Sequence, residues 1–366
     1  MSEPLLEVRD LRKSFSVPNA GKKKLRALDG ITLDLARGET VGLVGESGCG
    51  KSTLARTLLM LERPDSGTVR FDGIDPFRLR GKDLLAFRRR VQMVFQDPYA
   101  SLNARMTAGD IVAEPWRSHK GLYQSRRERD MRVRGLLDLV GLGAKSADKF
   151  PQEFSGGQRQ RIGIARALAL DPDVIICDEP VSALDLSVQA QVLNLLNDLQ
   201  GQLGIAYVFI SHDLSVVRHV ADRVAVMYLG RIIESGPTEA VFDRPNHPYT
   251  AALMSAAPKL DGAQRTERIL LKGEVPSPLN PPSGCRFRTR CWKATDVCAT
   301  APRPSTGSAR CGGPRRAWAR PTSGRRCTDD SASRTPLRWA RIRRCGPGTS
   351  PQRGRRRGGP PTGRAR

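Results

Sequence analysis

The stretch Gly45-Glu46-Ser47-Gly48-Cys49-Gly50-Lys51-Ser52-Thr53 follows an apolar, β-branched run at 40–44 and precedes a stretch at 54–59 that reads as a helix. A glycine loop between a strand and a helix is the context that a phosphate-binding loop requires. The glycines allow successive backbone N–H groups to converge on one anion, and the positive end of the following helix faces the same point. This stretch therefore predicts nucleotide binding.

Two side chains of this loop have expected roles of their own. Lys51 would reach the β- and γ-phosphates of a bound nucleotide, and the hydroxyl of Ser52 would ligate Mg²⁺. A flexible turn rich in glycine and serine is the other interpretation, but it gives no reason for a lysine and a serine at these offsets. We therefore expect a site for a nucleoside triphosphate with magnesium.

The positive charge of the chain is concentrated near its end. The 366 residues, enough for about two domains, carry a net charge of +24. Residues 301–366 hold 18 Arg, two Asp and no Lys or Glu, so that +16 lies there and an ordinary excess of +8 lies in the first 300 residues. The charge therefore gives no reason to expect a nucleic-acid partner for the main domain.

Targeting and membrane-spanning segments are not expected. The first twelve residues mix acidic, basic and apolar side chains, and no stretch approaches the roughly 20 apolar residues of a membrane-spanning helix. Of the eight Cys, Cys49 and Cys177 lie in nucleotide-binding motifs and the other six follow residue 284, which is not the pattern of a disulfide framework. We expect a soluble cytoplasmic protein.

Two patterns of apolar residues predict two kinds of strand. Residues 6–11, 31–35 and 69–71 alternate apolar and polar side chains, which predicts half-buried antiparallel strands. Residues 174–177 and 205–210 are continuous apolar runs, typical of strands buried on both faces in a parallel sheet. The chain is therefore expected to contain both an antiparallel and a parallel sheet.

Helices are expected between these two groups of strands. After a further strand at 91–95, residues 133–140 place apolar side chains at i, i+3, i+4 and i+7, the spacing of an amphipathic helix. Ser155 reads as the N-cap of another helix, which ends before the Asp-Pro pair at 171–172.

Three polar residues directly follow the buried strands. Asp178 and Glu179 end one run and His212 follows the other, at the sheet edge where open α/β folds bind ligands. A histidine at that edge, beside a phosphate loop, is expected to be catalytic. Phe15, after the first strand, is either a core residue or a platform on which adenine stacks.

In their order along the chain, these motifs resemble those of ABC transporter ATPases. They correspond to Walker A at 45–53, the Q-loop Gln96, the signature Ser155-Gly156-Gly157-Gln158, Walker B Asp178-Glu179, the D-loop Ser182-Ala183-Leu184-Asp185 and the switch histidine His212. The resemblance covers about residues 4–300, with Phe154 where the family more often has Leu. It implies an α/β, ABC-type P-loop NTPase with a mixed sheet core, an antiparallel β subdomain, a helical subdomain and a short C-terminal extension.

The resemblance also implies a role for each motif. Ser52 and Gln96 would ligate Mg²⁺ with Asp178 nearby, Glu179 would act as general base, and His212 would orient the γ-phosphate and the attacking water. The signature would contact the ATP of a partner subunit in a head-to-tail dimer. The residues expected to contact ATP are Phe15, Gly45, Ser47, Gly48, Cys49, Gly50, Lys51, Ser52, Thr53, Ser155, Gly156, Gly157, Gln158 and Asp185, with Lys51, Gln96, Glu179 and His212 as the catalytic set.

Three stretches are similar to oligopeptide/dipeptide importer subunits: 96–103, 237–250 and 275–282. They imply an ATPase that powers peptide import, with nickel or another small solute as the alternative cargo and a soluble ABC ATPase of nucleic-acid repair or translation as the other class. The implied partners are a second ABC ATPase subunit (a paralogue), two transmembrane permeases and an extracytoplasmic solute-binding protein, at the cytoplasmic face of the membrane. No nucleic-acid partner is implied.

The expected division is an ATPase domain at 1–236, with its helical subdomain at about 97–170, an extension at 237–300 and a tail at 301–366. In the extension Cys285, Cys291 and Cys298 lie where the subfamily carries a cysteine group, which implies an iron–sulfur cluster or zinc. The family usually has Pro where this chain has Trp292. The family's fourth cysteine lies in a context that this chain does not reproduce, and Cys311 could take the place of that cysteine. The tail composition favours a shifted reading frame over a genuine basic, disordered arm.

Overall fold

Two β-sheets with helices around them make up the part of the chain that the computed structural model describes, residues 3–18, 23–119, 121–123, 125–256 and 268–300. The tail at 301–366, with Cys311, lies outside the described residues. The strands are β1 (Leu6–Ser16), β2 (Lys24–Leu35), β3 (Thr40–Val44), β4 (Ser66–Phe71), β5 (Val91–Val94), β6 (Val174–Asp178), β7 (Ala206–Ser211), β8 (Arg223–Tyr228) and β9 (Arg231–Pro237).

The helices follow the same order along the chain. They are α1 (Lys51–Leu58), α2 (Gly81–Arg90), α3 (Pro98–Ser101), α4 (Ala108–Ala113), α5 (Pro115–Ser118), α6 (Arg126–Leu139), α7 (Gly156–Leu168), α8 (Leu186–Leu203), α9 (Leu214–Val220), α10 (Thr238–Asp243), α11 (Pro248–Ala256) and α12 (Val297–Thr300). In the part of the chain that is described, no helix combines the length and the apolar character needed to cross a bilayer.

The smaller sheet is antiparallel and has the strand order β2-β1-β4. Its alternating sequence places one set of side chains in a core, and Ile31, Leu33 and Leu35 of β2 are all buried. The polar residues between them, Thr32 and Asp34, are more exposed. This sheet confirms the antiparallel strands that the alternation predicts.

The larger sheet has the strand order β5-β6-β7-β3-β8-β9. Its neighbours pair in parallel as far as β8, and β9 closes the sheet as an antiparallel edge strand. Every residue of β3 and β7 is buried, as expected for strands covered on both faces. The expected α/β class with a mixed sheet is therefore confirmed, although the apolar patterns do not predict β8 and β9.

Parallel pairing brings the carboxyl ends of three strands to one edge of the larger sheet. Val44, the last residue of β3, is in register with Ser211, the last residue of β7. β6 pairs with the other side of β7 and ends at Asp178. The phosphate loop, Glu179 and His212 follow these strand ends directly, so motifs far apart in the sequence share one edge.

Helices α3 to α7 occupy residues 98–168 and contribute many of the buried residues of a hydrophobic core that also includes side chains of the larger sheet. In α6 the side chains of Val133, Leu136 and Leu137 are buried, and Val140 immediately after the helix has no exposed surface. The amphipathic spacing read from the sequence is confirmed by this burial.

The described part of the C-terminal extension, residues 237–256 and 268–300, packs against both sheets. The ring of Phe287 lies 5.4 Å from that of Tyr228 in β8 and 5.3 Å from that of Tyr249 in α11, measured between centroids. Arg286, only 4% exposed, donates to the carboxylate of Asp29 in β2. Aromatic packing and a buried ion pair thus fasten the extension to the two sheets.

The buried carboxylate of Asp29 is matched by several guanidinium groups. Burial alone would raise its pKa, but the hydrogen bond from Arg231 and the charges of Arg286, Arg231 and Arg12 outweigh that effect and hold the pKa below its usual value. Because the carboxylate is compensated, it is compatible with its place between the sheets.

Gly42 in β3 is a sensitive position for the packing that supports the site. A Cβ atom there would lie 2.4 Å from Cγ1 of Val217 in α9 and 3.1 Å from Cβ of Ala221. We expect Gly42→Ala to lower the free energy of unfolding by about 1–3 kcal/mol, the usual cost of overpacking. Urea unfolding of the full chain measures this change.

Gly201 in α8 provides the matched control. Its added Cβ would meet no heavy atom within 4 Å, so Gly201→Ala should raise stability by about 0.5–1 kcal/mol through helix propensity. Equal stability of Gly42→Ala and the wild-type chain would contradict the close approach of α9 to β3.

Candidate active site

The loop between β3 and α1 adopts a conformation that requires glycine. Gly45, Gly48 and Gly50 all have positive φ, at 156°, 76° and 110°. A Cβ at Gly45 would lie 2.2 Å from the carbonyl oxygen of Met227, and one at Gly50 would lie 2.3 Å from that of Ala27. The loop is therefore seated against β2 and β8 with no room for side chains at these two positions.

Lys51 folds back over this loop. Its Nζ atom donates to the carbonyl oxygens of Gly45 at 2.7 Å and Glu46 at 3.2 Å, and the residue is only 6% exposed. Within the described ranges Lys51 forms no salt bridge with a carboxylate. A nearly buried ammonium held by carbonyl groups alone has capacity for an anionic ligand, which is the role predicted for it.

The other predicted loop residues divide between the interior and the surface. Cys49 is 4% exposed, and burial raises the pKa of its thiol. Ser47, Gly48 and Ser52 are exposed, while Gly50 and Thr53 are half-buried. The exposed part of the loop is therefore available for a ligand, whereas the Cys49 side chain serves packing.

Asp178, at the end of β6, lies next to the start of α1. Burial raises the pKa of its carboxyl and the charge of Glu179 adds to this effect, while a hydrogen bond from Ser52 and the charge of Lys51 act against it; the net result is a raised pKa. A carboxylate and a hydroxyl are oxygen donors of the kind that Mg²⁺ takes. These two residues fit the magnesium site predicted from the sequence.

Glu179 is held by two of the three other residues predicted to be catalytic. Gln96 donates from Nε2 to Oε2 of Glu179 at 2.9 Å, and Nδ1 of His212 lies 3.2 Å from Oε1. The backbone N–H of Glu179 donates to the carbonyl oxygen of Ile210 at 2.9 Å, although φ of Glu179 is 47°. The structure thus brings together Gln96, Glu179 and His212 at the edge where the phosphate loop emerges.

Exposure differs between these groups in a way that suits catalysis. The side chain of Glu179 is 19% exposed and that of His212 is 61% exposed. A partly enclosed carboxylate with one face towards solvent can be reached by a water molecule while its orientation is fixed.

The signature residues begin helix α7. The amide N–H of Gln158 donates to Oγ of Ser155 at 3.4 Å, and the amide N–H of Ser155 donates to Oε1 of Gln158 at 3.0 Å. This capping box confirms the predicted N-cap. A Cβ at Gly157 would lie 2.2 Å from Cγ1 of Val188, so the glycine allows α7 to approach α8 closely.

Ser155 and Gln158 are exposed, and their described hydrogen bonds remain within the signature and α7. Asp185, the predicted D-loop residue, caps α8 by accepting from the amide N–H of Val188 at 3.0 Å. In a single chain the side chains of Ser155, Gln158 and Asp185 therefore lie on the surface. None of their described hydrogen bonds is to Glu179.

Phe15 lies in β1 and is half-buried. The Nζ atom of Lys13 lies 5.1 Å from the centroid of its ring, a cation–π distance. Part of the ring surface is exposed, so stacking on a base stays a prediction for this residue.

Two residues that contact the phosphate loop, Arg290 and Tyr249, were not identified from the sequence as part of the site. Arg290 donates from Nη1 to both carboxylate oxygens of Glu46, at 3.1 and 3.0 Å, and the hydroxyl of Tyr249 accepts from the amide N–H of Glu46 at 2.9 Å. The sequence contained only an indirect signal, the similarity of 237–250 to importer subunits. These contacts join positions more than 200 residues apart.

Two of the three described cysteines of the extension, Cys285 and Cys298, lie near each other. The amide N–H of Cys285 donates to the carbonyl oxygen of Cys298 at 2.8 Å, and Sγ of Cys285 lies 3.9 Å from Nε2 of His247. Sγ of Cys291 accepts from the amide N–H of Lys293 at 3.4 Å. As far as the described residues extend, no group of three or more His, Cys, Asp or Glu is arranged to hold a metal ion.

Comparison with known sequences agrees with this arrangement. A sequence profile of the ABC transporter family matches residues 28–182, and one of the oligopeptide/dipeptide transporter C-terminal region matches residues 233–298. The dipeptide transport ATP-binding protein DppF of Haemophilus influenzae is 54% identical over 298 residues, which cover 81% of this chain and 90% of DppF.

Solved structures of ATP-binding cassettes share the fold. The cassette MJ0796, in a dimeric post-hydrolysis state bound to ADP and Pi, gives a TM-score of 0.57 at 30% identity and covers 64% of this chain and 98% of its own. CbiO1 from Clostridium perfringens, part of the ABC transporter complex cbiONQ, gives a TM-score of 0.58 at 30% identity and covers 66% of this chain and 92% of its own. The resemblance seen in the motifs is confirmed, and the chain belongs to the ATP-binding proteins of the ABC transporter family.

Proposed function

We propose that this chain hydrolyses ATP to power the import of oligopeptides or dipeptides through a membrane transporter. The observation that carries the catalytic part is the Glu179 carboxylate held between Gln96 and His212 beside the phosphate loop. The transport part is supported by the match of residues 233–298 to the transporter C-terminal region and by the name of DppF, a dipeptide transport protein.

In this proposal the loop 45–53 holds the β- and γ-phosphates through Lys51 and the backbone N–H groups. Ser52 and Gln96 would hold Mg²⁺ with Asp178 nearby. Because Nε2 of Gln96 donates to Glu179, the amide oxygen of Gln96 would be the atom available to the ion. When bound, the ion neutralises charge on the phosphates.

Glu179 accepts a proton from the attacking water as general base. Gln96 and His212 hold opposite oxygens of the carboxylate, so the acceptor has one orientation. His212 also orients the γ-phosphate and the water. Positioning of this kind supplies most of the catalytic effect in phosphoryl transfer, where little covalent chemistry is required of the protein.

A head-to-tail dimer completes the proposed site. The ATP bound by the partner subunit is contacted by the signature and the D-loop, through Ser155, Gly156, Gly157, Gln158 and Asp185. Phe15 stacks on the adenine of the ATP bound by its own chain. Support comes from the exposed polar groups of the signature and from MJ0796, which is dimeric in its structures. ATP then joins the subunits and hydrolysis releases them, which gives the transporter a two-state element.

The remaining partners and the division of the chain follow from the same proposal. The opposing subunit is a paralogue, and both subunits serve two permeases and an extracytoplasmic solute-binding protein at the cytoplasmic face of the membrane. Residues 1–236 form the ATPase domain, with the helical subdomain at about 97–170, and residues 237–300 form the extension.

The role of Glu179 is tested by Glu179→Gln. We expect this variant to bind ATP normally and to hydrolyse it at least about 100-fold more slowly, because an amide cannot accept the proton. Glu239→Gln, which alters an exposed carboxylate paired with Arg218, is the matched control and should keep the wild-type rate. Undiminished turnover in Glu179→Gln would remove Glu179 from its role.

The dimer is tested by Ser155→Arg in the Glu179→Gln background. A large cation at the signature should weaken MgATP-dependent association at least about tenfold, while each subunit still binds ATP in its own loop. Light scattering after size-exclusion chromatography, with the paralogous subunit present, measures the association, and Met131→Arg on the exposed side of α6 is the control. A dimer of unchanged strength in the signature variant would contradict the arrangement.

The iron–sulfur or zinc prediction for Cys285, Cys291 and Cys298 receives no support from the geometry of the described residues and stays a prediction. If it holds, the purified full chain contains iron or zinc, and Cys291→Ser lowers the metal content because one thiolate ligand is lost. Elemental analysis of both proteins measures the metal content, and a chain without either metal overturns the prediction.

A further inference from the structure

The C-terminal extension reaches the phosphate loop at Glu46. Arg290 donates to both oxygens of the Glu46 carboxylate at 3.1 and 3.0 Å, and the Tyr249 hydroxyl accepts from the Glu46 amide at 2.9 Å. The side chain of Arg290 is 9% exposed, compared with 27% for Glu46. The ion pair is therefore largely shielded from water, where its charges interact more strongly than on an open surface.

Both extension residues are fixed in position by their surroundings. Tyr249 is fully buried and its ring lies 4.6 Å from that of Tyr228 and 5.3 Å from that of Phe287, measured between centroids. Nη1 of Arg290 also lies 3.5 Å from the hydroxyl of Tyr228. A rigid aromatic cluster thus presents a cation and a hydroxyl to the loop.

A second attachment lies beside the first. Arg286 donates to the carbonyl oxygen of Leu229 as well as to Asp29. The next residue, Gly230, donates its amide N–H to the carbonyl oxygen of Cys49 at 2.8 Å. The turn between β8 and β9 therefore connects the extension with the far end of the phosphate loop.

The charge of Glu46 poses an electrostatic problem for a loop that binds a triphosphate. Its carbonyl group holds Lys51, so its backbone belongs to the loop itself, and an uncompensated carboxylate there would repel the polyanion. Arg290 supplies the compensating positive charge. The salt-bridge geometry also fixes the carboxylate on the side of the extension.

We propose that Arg290 is a positioning residue for ATP binding, which neutralises Glu46 and holds it away from the nucleotide. The proposal rests on the proposed function of residues 45–53 as the ATP site. It gives the extension a direct part in setting the nucleotide affinity of the ATPase domain, in addition to any part it has in assembly.

Two single variants and their combination test the charge relation. Arg290→Met should raise the Kd for MgATP about tenfold, equivalent to about 1.4 kcal/mol, because the carboxylate is left unpaired. Glu46→Gln should tighten binding about threefold, because Arg290 then adds an unmatched positive charge. The double variant should return to within about twofold of wild type, since the net charge is restored.

The measurement is isothermal titration of the full chain with MgATP, together with steady-state hydrolysis. We expect the effect in KM and little change in kcat, since Arg290 touches no reacting group. Arg290→Lys should stay within about threefold of wild type, because both bonds to Glu46 come from one nitrogen. Arg288→Met, whose Nε and Nη2 atoms bond within the extension to Ser283, is the matched control.

The outcomes separate the possible roles. A loss in Arg290→Met that Glu46→Gln does not repair would show a purely structural role and overturn the proposal, as would unchanged affinity in Arg290→Met. A fall in the unfolding temperature of Arg290→Met, together with a loss of MgATP affinity that the double variant does not recover, would also show a structural role and overturn the proposal. Failure of the wild-type chain to bind MgATP would instead overturn the proposed function.

Discussion

The parallel pairing of β3 with β7 is the constraint on which the site depends. It sets Val44 beside Ser211, so the phosphate loop and His212 leave the sheet at the same edge. β6 pairs with β7 on its other side and delivers Glu179 to that edge. The Glu179 carboxylate is therefore close to both catalytic neighbours: its Oε2 lies 2.9 Å from Nε2 of Gln96, and its Oε1 lies 3.2 Å from Nδ1 of His212. A slip of one residue in any of these strands would turn every side chain of that strand to the opposite face.

Much of this arrangement follows from local sequence. The continuous apolar runs of β6 and β7 indicate parallel strands, and parallel strands share an edge, so the meeting of Glu179 with His212 could be predicted. The capping box of Ser155 is likewise a property of four neighbouring residues. Patterns of this kind are readable because the interactions that produce them span a few positions.

The contacts of the extension could not be predicted in the same way. Arg286 and Asp29 are 257 positions apart, and Arg290 and Glu46 are 244 apart. Neither pair produces a periodic pattern in the sequence. Each arginine is one of many basic residues, and nothing in its local sequence indicates which carboxylate it contacts. Only the assembled sheets, with the antiparallel β9 at their edge, bring these charges together. The same holds for the orientation of Tyr249 towards the loop.

The order of these elements along the chain has a consequence for biosynthesis. Every ATP-binding motif precedes residue 213. Tyr249 and Arg290, which contact Glu46 of the phosphate loop, emerge later from the ribosome. Folding during translation starts from the amino end, so the nascent ATPase domain carries all its motifs while Glu46 still lacks these neighbours. The contacts of Tyr249 and Arg290 with the phosphate loop thus form late in translation. A polypeptide released before residue 290 would carry all the motifs but would lack the ion pair between Arg290 and Glu46.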